Sequence, residues 1–175
     1  VVNVSWEEAQ SFCQWLTEKE RQEGRLTQTQ RYRLPTDEEW SWAVGIGGLE
    51  MGSTPKAKSG QLPGVYPWSA PYVTSHAAAN YAGSFPESND TYHRASPVGS
   101  FNPNPSGLYD MGGNVWEWCE DTYEIPGTTT RVVRGASWAD SNVNVQLSSS
   151  RSAGLQHLRN TVIGFRCVLV GDPNP

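Results

Sequence analysis

Residues 107–121 read GLYDMGGNVWEWCED, and this stretch places two carboxylates on either side of a Gly-Gly turn. Asp110 and Glu117 supply side-chain oxygens, and the carbonyl groups between them can point inward. Calcium takes about six to eight oxygen ligands and combines carboxylates with carbonyls from irregular backbone. The stretch therefore permits a calcium site. The alternative is that Asx turns and protein donors satisfy the same groups.

A second candidate calcium site lies upstream, where Asn80 and Asp90 offer side-chain oxygens ten residues apart. Both candidate sites border or lie within the region 45–107, which contains many turn residues and no long hydrophobic period. Loops of this length are uncommon unless they are functional or are held in place. Bound cations would replace the missing secondary structure.

Two helices are predicted before these loops. Ser5 precedes Glu8 by three residues, and Thr36 precedes Glu39 by three, which is the spacing of a capping box. Gly45 is a plausible end for the second helix. The apolar residues at helical spacing are Ala9, Phe12, Cys13 and Leu16 on the first helix and Trp40, Ala43 and Val44 on the second.

Short strands are predicted near the end of the chain, in RVVRGAS at 131–137 and GFRCVLV at 164–170. Both stretches carry β-branched residues and adjoin glycine, as strands and their turns do. The order of two helices, long loops and short strands predicts an α+β domain.

Composition narrows the class of protein. A chain of 175 residues suits one domain, and a net charge of −5 without a dense Lys/Arg cluster argues against nucleic acid as partner. No apolar run approaches the ~20 residues of a membrane span. The three cysteines have no metal-like spacing and are interpreted as small buried residues. With no visible signal peptide, they favour a cytoplasmic location.

Several stretches resemble the formylglycine-generating-enzyme-like domains, also called sulfatase-modifying-factor domains. They are VVNVSWEEAQSFCQWL, YRLPTDEEWSWA, GLYDMGGNVWEWCED, RGASW and GFRCV, in the family's order. The resemblance covers nearly the whole chain. It implies a single domain over 1–175 with a loop-rich variant of the C-type lectin fold, built from two main helices and short twisted antiparallel strands. It also implies that the family's N-terminal hairpin region is missing.

The resemblance assigns calcium ligands at both candidate sites. One set comprises the Asn80 side chain, the Tyr81 carbonyl, the Asp90 side chain and the Tyr92 carbonyl, and the other comprises Asp110, the Gly113 carbonyl, the Val115 carbonyl and Glu117.

The family's catalytic cysteines are replaced in this chain. Oxidases of the family carry two cysteines after an RGGS-like motif, and these thiols bind copper. Alignment on RGASW and GFRC places Asp140 and Val145 there, and neither is a soft thiolate ligand. The resemblance therefore implies no copper and no oxidase activity. The histidines His76, His93 and His157 lack the spacing of a metal site and are predicted to be loop or surface residues.

The segment 139–162 is the predicted ligand-binding segment. The same framework serves variable proteins of diversity-generating retroelements, in which adenine-directed mutagenesis rewrites AAC and AAT codons. The resulting codons never encode Lys, Glu, Gln, Met or Trp. Seventeen residues are assigned to the variable set, and all of them are compatible with this rule: Ala139, Asp140, Ser141, Asn142, Val143, Asn144, Val145, Ser150, Ser152, Ala153, Gly154, Leu155, His157, Leu158, Asn160, Thr161 and Val162.

The intervening QLSS, Arg151 and Arg159 are interpreted as fixed scaffold. The resulting hypothesis is a non-catalytic domain that binds a protein or another surface ligand through 139–162. The alternatives are an ordinary solvent-facing loop in a non-catalytic paralogue, an oxidase of the formylglycine-generating type with an unrecognised site, and an accessory domain of a bacterial signalling protein such as a kinase.

Overall fold

The computed structural model describes residues 1–68, 79–81 and 92–172, which form a mixed arrangement of helices and short strands. The predicted α+β class is confirmed. The described elements are α1 (Trp6–Gln22), β1 (Arg31–Arg33), α2 (Asp37–Val44), α3 (Pro55–Lys58), β2 (Trp116–Thr122), β3 (Thr130–Arg134), β4 (Arg151–Leu155), β5 (Ile163–Gly164) and β6 (Val168–Val170).

Both predicted capping boxes are present. The Ser5 hydroxyl accepts from the Glu8 amide at 3.2 Å, and the Glu8 carboxylate accepts from the Ser5 amide at 2.9 Å. Thr36 and Glu39 repeat this exchange at the start of α2. Gly45 ends α2 with a φ of 92°, a left-handed conformation that glycine adopts without a steric penalty. Local sequence therefore sets three of the four ends of the two main helices.

The predicted apolar stripe on α1 is only partly buried. Ala9 and Cys13 lie in the core and Leu16 is half-buried, whereas Phe12 is 41% exposed. The expectation for Phe12 was wrong because no element covers it fully, and its ring packs edge-on against Phe165 at 5.4 Å between centroids. On α2, Trp40 and Val44 are buried and Ala43 is half-buried.

The strands form two sheets. The larger sheet has the order β4-β3-β2-β5, in which β3 pairs antiparallel with β2 and β4, and β2 pairs parallel with β5. The smaller sheet pairs β1 with β6 antiparallel, so it joins the early part of the chain to its end. The parallel pair departs from the expected all-antiparallel arrangement.

Two hydrophobic core clusters pack against opposite faces of the larger sheet. Trp116, Trp118 and Val133 belong to one core cluster, while Cys119 and Val132 belong to another. Successive residues of a strand point to opposite faces, so β2 and β3 each contribute to both clusters.

In the described residues, no helix combines the length and hydrophobicity needed to cross a membrane.

A buried ion cluster joins α2 to β3 and β4. The guanidinium of Arg151 contacts Asp37 at 2.9 Å and Glu50 at 2.5 Å, and Arg134 donates to the same Asp37. Burial would raise the pKa of Asp37, but the charges of Arg134 and Arg151 hold that pKa below its usual value. Arg134 also donates to the Ser148 carbonyl at 2.8 Å. The cluster therefore holds the middle of the segment 139–162.

Candidate functional site

Asp140 anchors the first loop of the predicted ligand-binding segment. Its Oδ2 atom accepts from the Trp116 indole at 2.9 Å, the Ser137 amide at 2.9 Å and the Ser137 hydroxyl at 2.6 Å. The residue is half-buried. Asp140 was predicted to face a ligand, but its Oδ2 atom is already engaged in three hydrogen bonds within the protein. It is therefore a positioning residue for the loop.

The far end of this loop is held by Val145 and its neighbours. Val145 packs against the first core cluster, and its amide donates to the Asn142 carbonyl at 3.0 Å. The Asn142 side chain accepts from the Asn144 amide at 3.0 Å, which forms an Asx turn. Ser141, Asn142, Val143 and Asn144 are exposed between these two anchors.

The central part of the segment is scaffold. Residues 146–149 are buried, as predicted for QLSS, and the Ser148 amide donates to the Val65 carbonyl at 2.8 Å. Ser150 is also buried, at 6% exposure, so its assignment to the ligand-facing set was wrong. The fixed scaffold therefore extends into β4, where Arg151 joins the ion cluster.

Gly154 in β4 was also predicted to face a ligand, and this prediction was wrong. It is buried, and a Cβ atom there would lie 2.3 Å from the ring of Trp118. That ring is itself fully buried, so it cannot turn out into solvent. Ser152, Ala153 and Leu155 of the same strand are half-buried.

The last part of the segment forms a second exposed loop. His157, Leu158, Asn160 and Thr161 are exposed, and Val162 packs against the first core cluster. The Val162 carbonyl accepts from the Trp116 amide at 2.8 Å. Because the Trp116 side chain holds Asp140, one buried tryptophan anchors both loops. We refer to the exposed residues of 139–144 and 157–161 as the display surface.

The charged residues of the segment all have partners. Asp140, Arg151 and Arg159 are the only Asp, Glu, Lys or Arg residues in 139–162. Arg159 pairs with Glu8 through an Nε–Oε2 contact of 2.8 Å, and this hydrogen bond lowers the pKa of Glu8 to about 2. Apart from the exposed Arg159–Glu8 ion pair, the display surface therefore presents polar and aliphatic side chains.

At the first predicted calcium set, the structure describes three of the four residues. Asn80 is buried, and its Nδ2 donates to the Arg94 carbonyl at 2.7 Å. Tyr81 is buried and Tyr92 is partly exposed. Asp90 lies outside the described residues.

At the second predicted calcium set, protein donors occupy the carboxylates. Glu117 accepts from the Trp40 indole at 3.0 Å and from Arg166 at 2.6 and 2.7 Å. Asp110 accepts from the Gly99 amide at 2.8 Å through Oδ2, while its buried Oδ1 has no hydrogen-bond partner among the described residues. A guanidinium thus already neutralises Glu117, and the residues fit a calcium ion poorly unless Arg166 moves.

Other metal-ligating side chains are dispersed in the described part of the chain. No three His, Cys, Asp or Glu side chains there are grouped as metal ligands. His93 and His157 are exposed, as predicted for surface residues, and His76 lies outside the described range.

Two of the three cysteines are in contact with each other. Cys13 of α1 and Cys167, just before β6, place their Sγ atoms 3.3 Å apart, while Cys119 is buried in the second core cluster. The sequence analysis missed this pair because the two positions are 154 residues apart and form no spacing motif. Only the β1–β6 pairing and α1 packing bring them together.

Comparison with known sequences identifies the family. The profile described as sulfatase-modifying factor enzyme 1-like domain matches residues 1–170. The chain is 38% identical over 175 residues to inactive C-alpha-formylglycine-generating enzyme 2 of Mus musculus, covering 95% of this chain and 48% of that protein. It is 30% identical over 191 residues to the formylglycine-generating enzyme of Thermomonospora curvata, covering 95% and 54%. The chain thus spans about half the length of these relatives.

Solved structures support the same fold. PvdO from Pseudomonas aeruginosa matches with a TM-score of 0.68 at 26% identity, covering 95% of this chain and 60% of PvdO. Treponema denticola variable protein 1 matches with a TM-score of 0.67 at 22% identity, covering 98% and 71%. These likenesses confirm the predicted formylglycine-generating-enzyme-like variant of the C-type lectin fold. The chain belongs to the family of sulfatase-modifying factor enzyme 1-like domains.

Proposed function

We propose that this chain is a non-catalytic ligand-binding domain whose display surface contacts a protein or another surface ligand. The observation that carries the proposal is the geometry of the first loop. Asp140 and Val145, at the two positions where the oxidases carry cysteines, serve as the anchors of that loop. The four residues between them are exposed.

The chemistry of the display surface suits adaptable binding. Asparagine, serine and threonine side chains form hydrogen bonds in several geometries, and Val143 and Leu158 add aliphatic contacts at 40% and 49% exposure. Loops on a rigid scaffold carry binding residues without disturbing the core. Because both loops are anchored to Trp116, little ordering entropy would be lost on binding.

Two of the comparisons agree with this proposal. One relative is named an inactive formylglycine-generating enzyme, and one structural neighbour is named a variable protein. We extend the proposal to a diversified surface of the kind found in variable proteins of diversity-generating retroelements. A near-identical copy of the 139–162 coding segment, differing at adenines and lying beside a reverse transcriptase gene, is the expected genomic context.

The rival function is an oxidase that uses the Cys13–Cys167 pair, since two adjacent thiols are suitable copper(I) ligands. Cys13 is 2% exposed, so a peptide cannot reach it without opening α1. We expect no aldehyde when the protein, copper and oxygen are incubated with a cysteine-containing sulfatase peptide and the peptide is weighed by mass spectrometry. The Thermomonospora curvata enzyme is the positive control. Aldehyde formation that Cys167→Ser abolishes would overturn the non-catalytic assignment.

We also propose a structural calcium ion at the set formed by Asn80, Tyr81, Asp90 and Tyr92. Support comes from the buried Asn80 side chain, whose orientation is fixed by the bond from its amide nitrogen to the Arg94 carbonyl. The set at Asp110 and Glu117 is not proposed, because Arg166 already satisfies Glu117.

Calcium is expected to raise the Tm over that in EDTA by about 5 °C, the shift for an ion at roughly 100 times its Kd. Asp90→Asn should remove this shift. Asp110→Asn is the matched control at the other set and should retain it. An equal calcium shift in Asp90→Asn and the unsubstituted protein would contradict the proposed ligand set.

A further inference from the structure

Strand β4 has an outer edge that is not part of the display surface. In the described part of the chain, β4 lies at one end of the larger sheet and pairs only with β3. In an antiparallel pair, the backbone groups of successive residues point alternately toward the partner strand and away from it. The side of β4 that faces away from β3 is therefore open to another strand wherever nothing else covers it.

Hydrogen bonds at both ends of β4 establish which residues point outward. At one end, the Arg151 amide donates to the Ser59 hydroxyl at 3.0 Å, and the Arg151 carbonyl accepts from the same hydroxyl at 3.3 Å. At the other end, Thr130 lies opposite Leu155, but the Thr130 carbonyl accepts at 3.2 Å from an amide on the β2 side. Both ends give the same alternation, in which the backbone groups of Arg151, Ala153 and Leu155 point away from β3.

The outward groups of Ala153 and the Leu155 amide form the open part of this edge. Ser59 covers Arg151, and the Leu155 carbonyl accepts from the Leu158 amide at 2.9 Å. No described residue bonds to the Ala153 amide, the Ala153 carbonyl or the Leu155 amide across the edge. Ala153 and Leu155 are half-buried. Backbone donors and acceptors left in a row in this way can pair with one more strand.

We propose that an extended peptide segment of a partner protein adds to this edge as a further strand, antiparallel to β4. The peptide residue opposite Ala153 accepts from the Ala153 amide and donates to the Ala153 carbonyl. The peptide residue two positions earlier accepts from the Leu155 amide. Strand addition of this kind gains affinity from main-chain hydrogen bonds and selectivity from alternate side chains. Because the display surface takes no part in the contact, this inference does not depend on the function proposed for that surface.

Positive charge at one end of the edge favours an acidic peptide. Helix α3 adjoins the Arg151 end of β4, because Ser59 directly follows α3 and the Lys58 carbonyl accepts from Arg151 Nη1 at 3.4 Å. Lys56 is exposed and Lys58 is half-buried. An antiparallel peptide places its C-terminal side at this end, so acidic residues there would meet the two lysines. Opposite charges across an interface help to set its register.

A second copy of this chain is a less suitable occupant than a peptide. Edge-to-edge pairing of two copies would use only the short open part of β4 on each. Stable protein interfaces bury about 1,200–2,000 Å² in total, which requires much more contact than one such edge. An extended peptide needs only the edge itself and the neighbouring lysines.

The binding test uses a fluorescein-labelled hexapeptide, Thr-Val-Thr-Val-Asp-Asp, and the purified protein. Its β-branched residues favour an extended conformation, and its aspartates lie on the C-terminal side. We expect fluorescence anisotropy to rise to saturation at protein concentrations up to about 1 mM. The same peptide with N-methylated backbone amides should bind about fivefold more weakly or worse, because it lacks the main-chain donors. No saturable binding, or equal binding of the N-methylated peptide, would overturn the proposal.

Ala153→Pro removes the outward amide and keeps the hydrogen bonds to β3, because Ser152 and Gly154 make those bonds. Edge strands accept proline at such outward positions. We expect the variant to bind the hexapeptide about fivefold more weakly or worse. Ala153→Ser keeps the amide and is the matched control, so it should bind like the unsubstituted protein. Equal affinities of these two variants would contradict strand addition at β4.

Hydrogen exchange followed by NMR tests the same edge without a variant. In the free protein, the Ala153 and Leu155 amides should exchange faster than the Ser152 and Gly154 amides, which bond to β3. The hexapeptide should slow exchange at Ala153 and Leu155. Binding without this protection would show that the peptide lies elsewhere. Protection in the absence of peptide, together with a dimer at the same concentration, would show that a second copy occupies the edge and would overturn the proposal.

Discussion

Replacing Arg151 by methionine is expected to lower the free energy of unfolding by about 3–5 kcal/mol, the usual cost of removing one partner from a buried ion pair. The Arg151 side chain has no exposed surface and contacts both Asp37 and Glu50, which are also buried. Methionine fills much of the same volume. The loss would therefore come from Glu50, which loses its ion-pair partner, and from Asp37, which keeps only Arg134.

Arg159→Met is the matched control for this prediction. It makes the same change in the same segment, but Arg159 is 60% exposed and its partner Glu8 is 41% exposed. Surface ion pairs contribute little because water screens them. Urea unfolding followed by tryptophan fluorescence should give a clearly lower midpoint for Arg151→Met and a nearly unchanged one for Arg159→Met. Equal midpoints for the two variants would show that the buried cluster does not hold β4.

Gly154→Ala is expected to lower the free energy of unfolding by about 1–3 kcal/mol or more, the cost of overpacking a core. The new methyl group would lie 2.3 Å from the fully buried ring of Trp118. Either the indole or β4 must then move. Thermal unfolding should show the loss, and the near-ultraviolet signal of the tryptophans should change with it.

Ser152→Ala, two residues earlier in the same strand, is the control for Gly154. Ser152 is half-buried and pairs opposite Val133, so the substitution keeps the backbone pairing and removes one hydroxyl. We expect a much smaller effect. If Gly154→Ala were as stable as Ser152→Ala, Gly154 would have room for a side chain and would return to the candidate ligand-facing set.

Local signals in the sequence predicted the parts of the fold that depend on neighbours in the chain. The capping boxes at Ser5 and Thr36 involve residues three positions apart, and both are confirmed. Strand β2 was not predicted, because WEWCED was interpreted through its carboxylates as part of a cation site. Its partners β3 and β5 come later in the chain, so the short stretch alone does not reveal the pairing.

The errors at individual site residues share one physical cause. Trp118 leaves no space for a side chain at Gly154, and Trp116 donates a hydrogen bond to Asp140. Both tryptophans belong to β2. Glu117 likewise finds its cation in Arg166, which is 49 residues away in sequence. These partners become neighbours only through strand pairing. Codon compatibility restricts residue types and contains no information about burial.

The corrected display surface is smaller than the predicted segment, and the separation between scaffold and surface becomes clearer. Buried residues from 146 to 151 and Gly154 belong to the framework, while 141–144 and 157–161 remain exposed.

The cytoplasmic location stays a prediction. It rested partly on three isolated cysteines, and two of these are in contact.

The most direct test of the central claim is the thermal stability of a variant with the first exposed loop rewritten. We propose Ser141→Tyr, Asn142→Asp, Val143→Ser and Asn144→His together, because the carboxylate introduced by Asn142→Asp retains an acceptor for the Asx turn. Surface substitutions of this kind each change stability by about 0.5 kcal/mol or less, so four of them together should leave the Tm within about 4–8 °C of the unsubstituted protein. A fall of more than about 10 °C, or loss of the cooperative transition, would show that this loop is part of the fold and contradict its assignment as a surface free to vary.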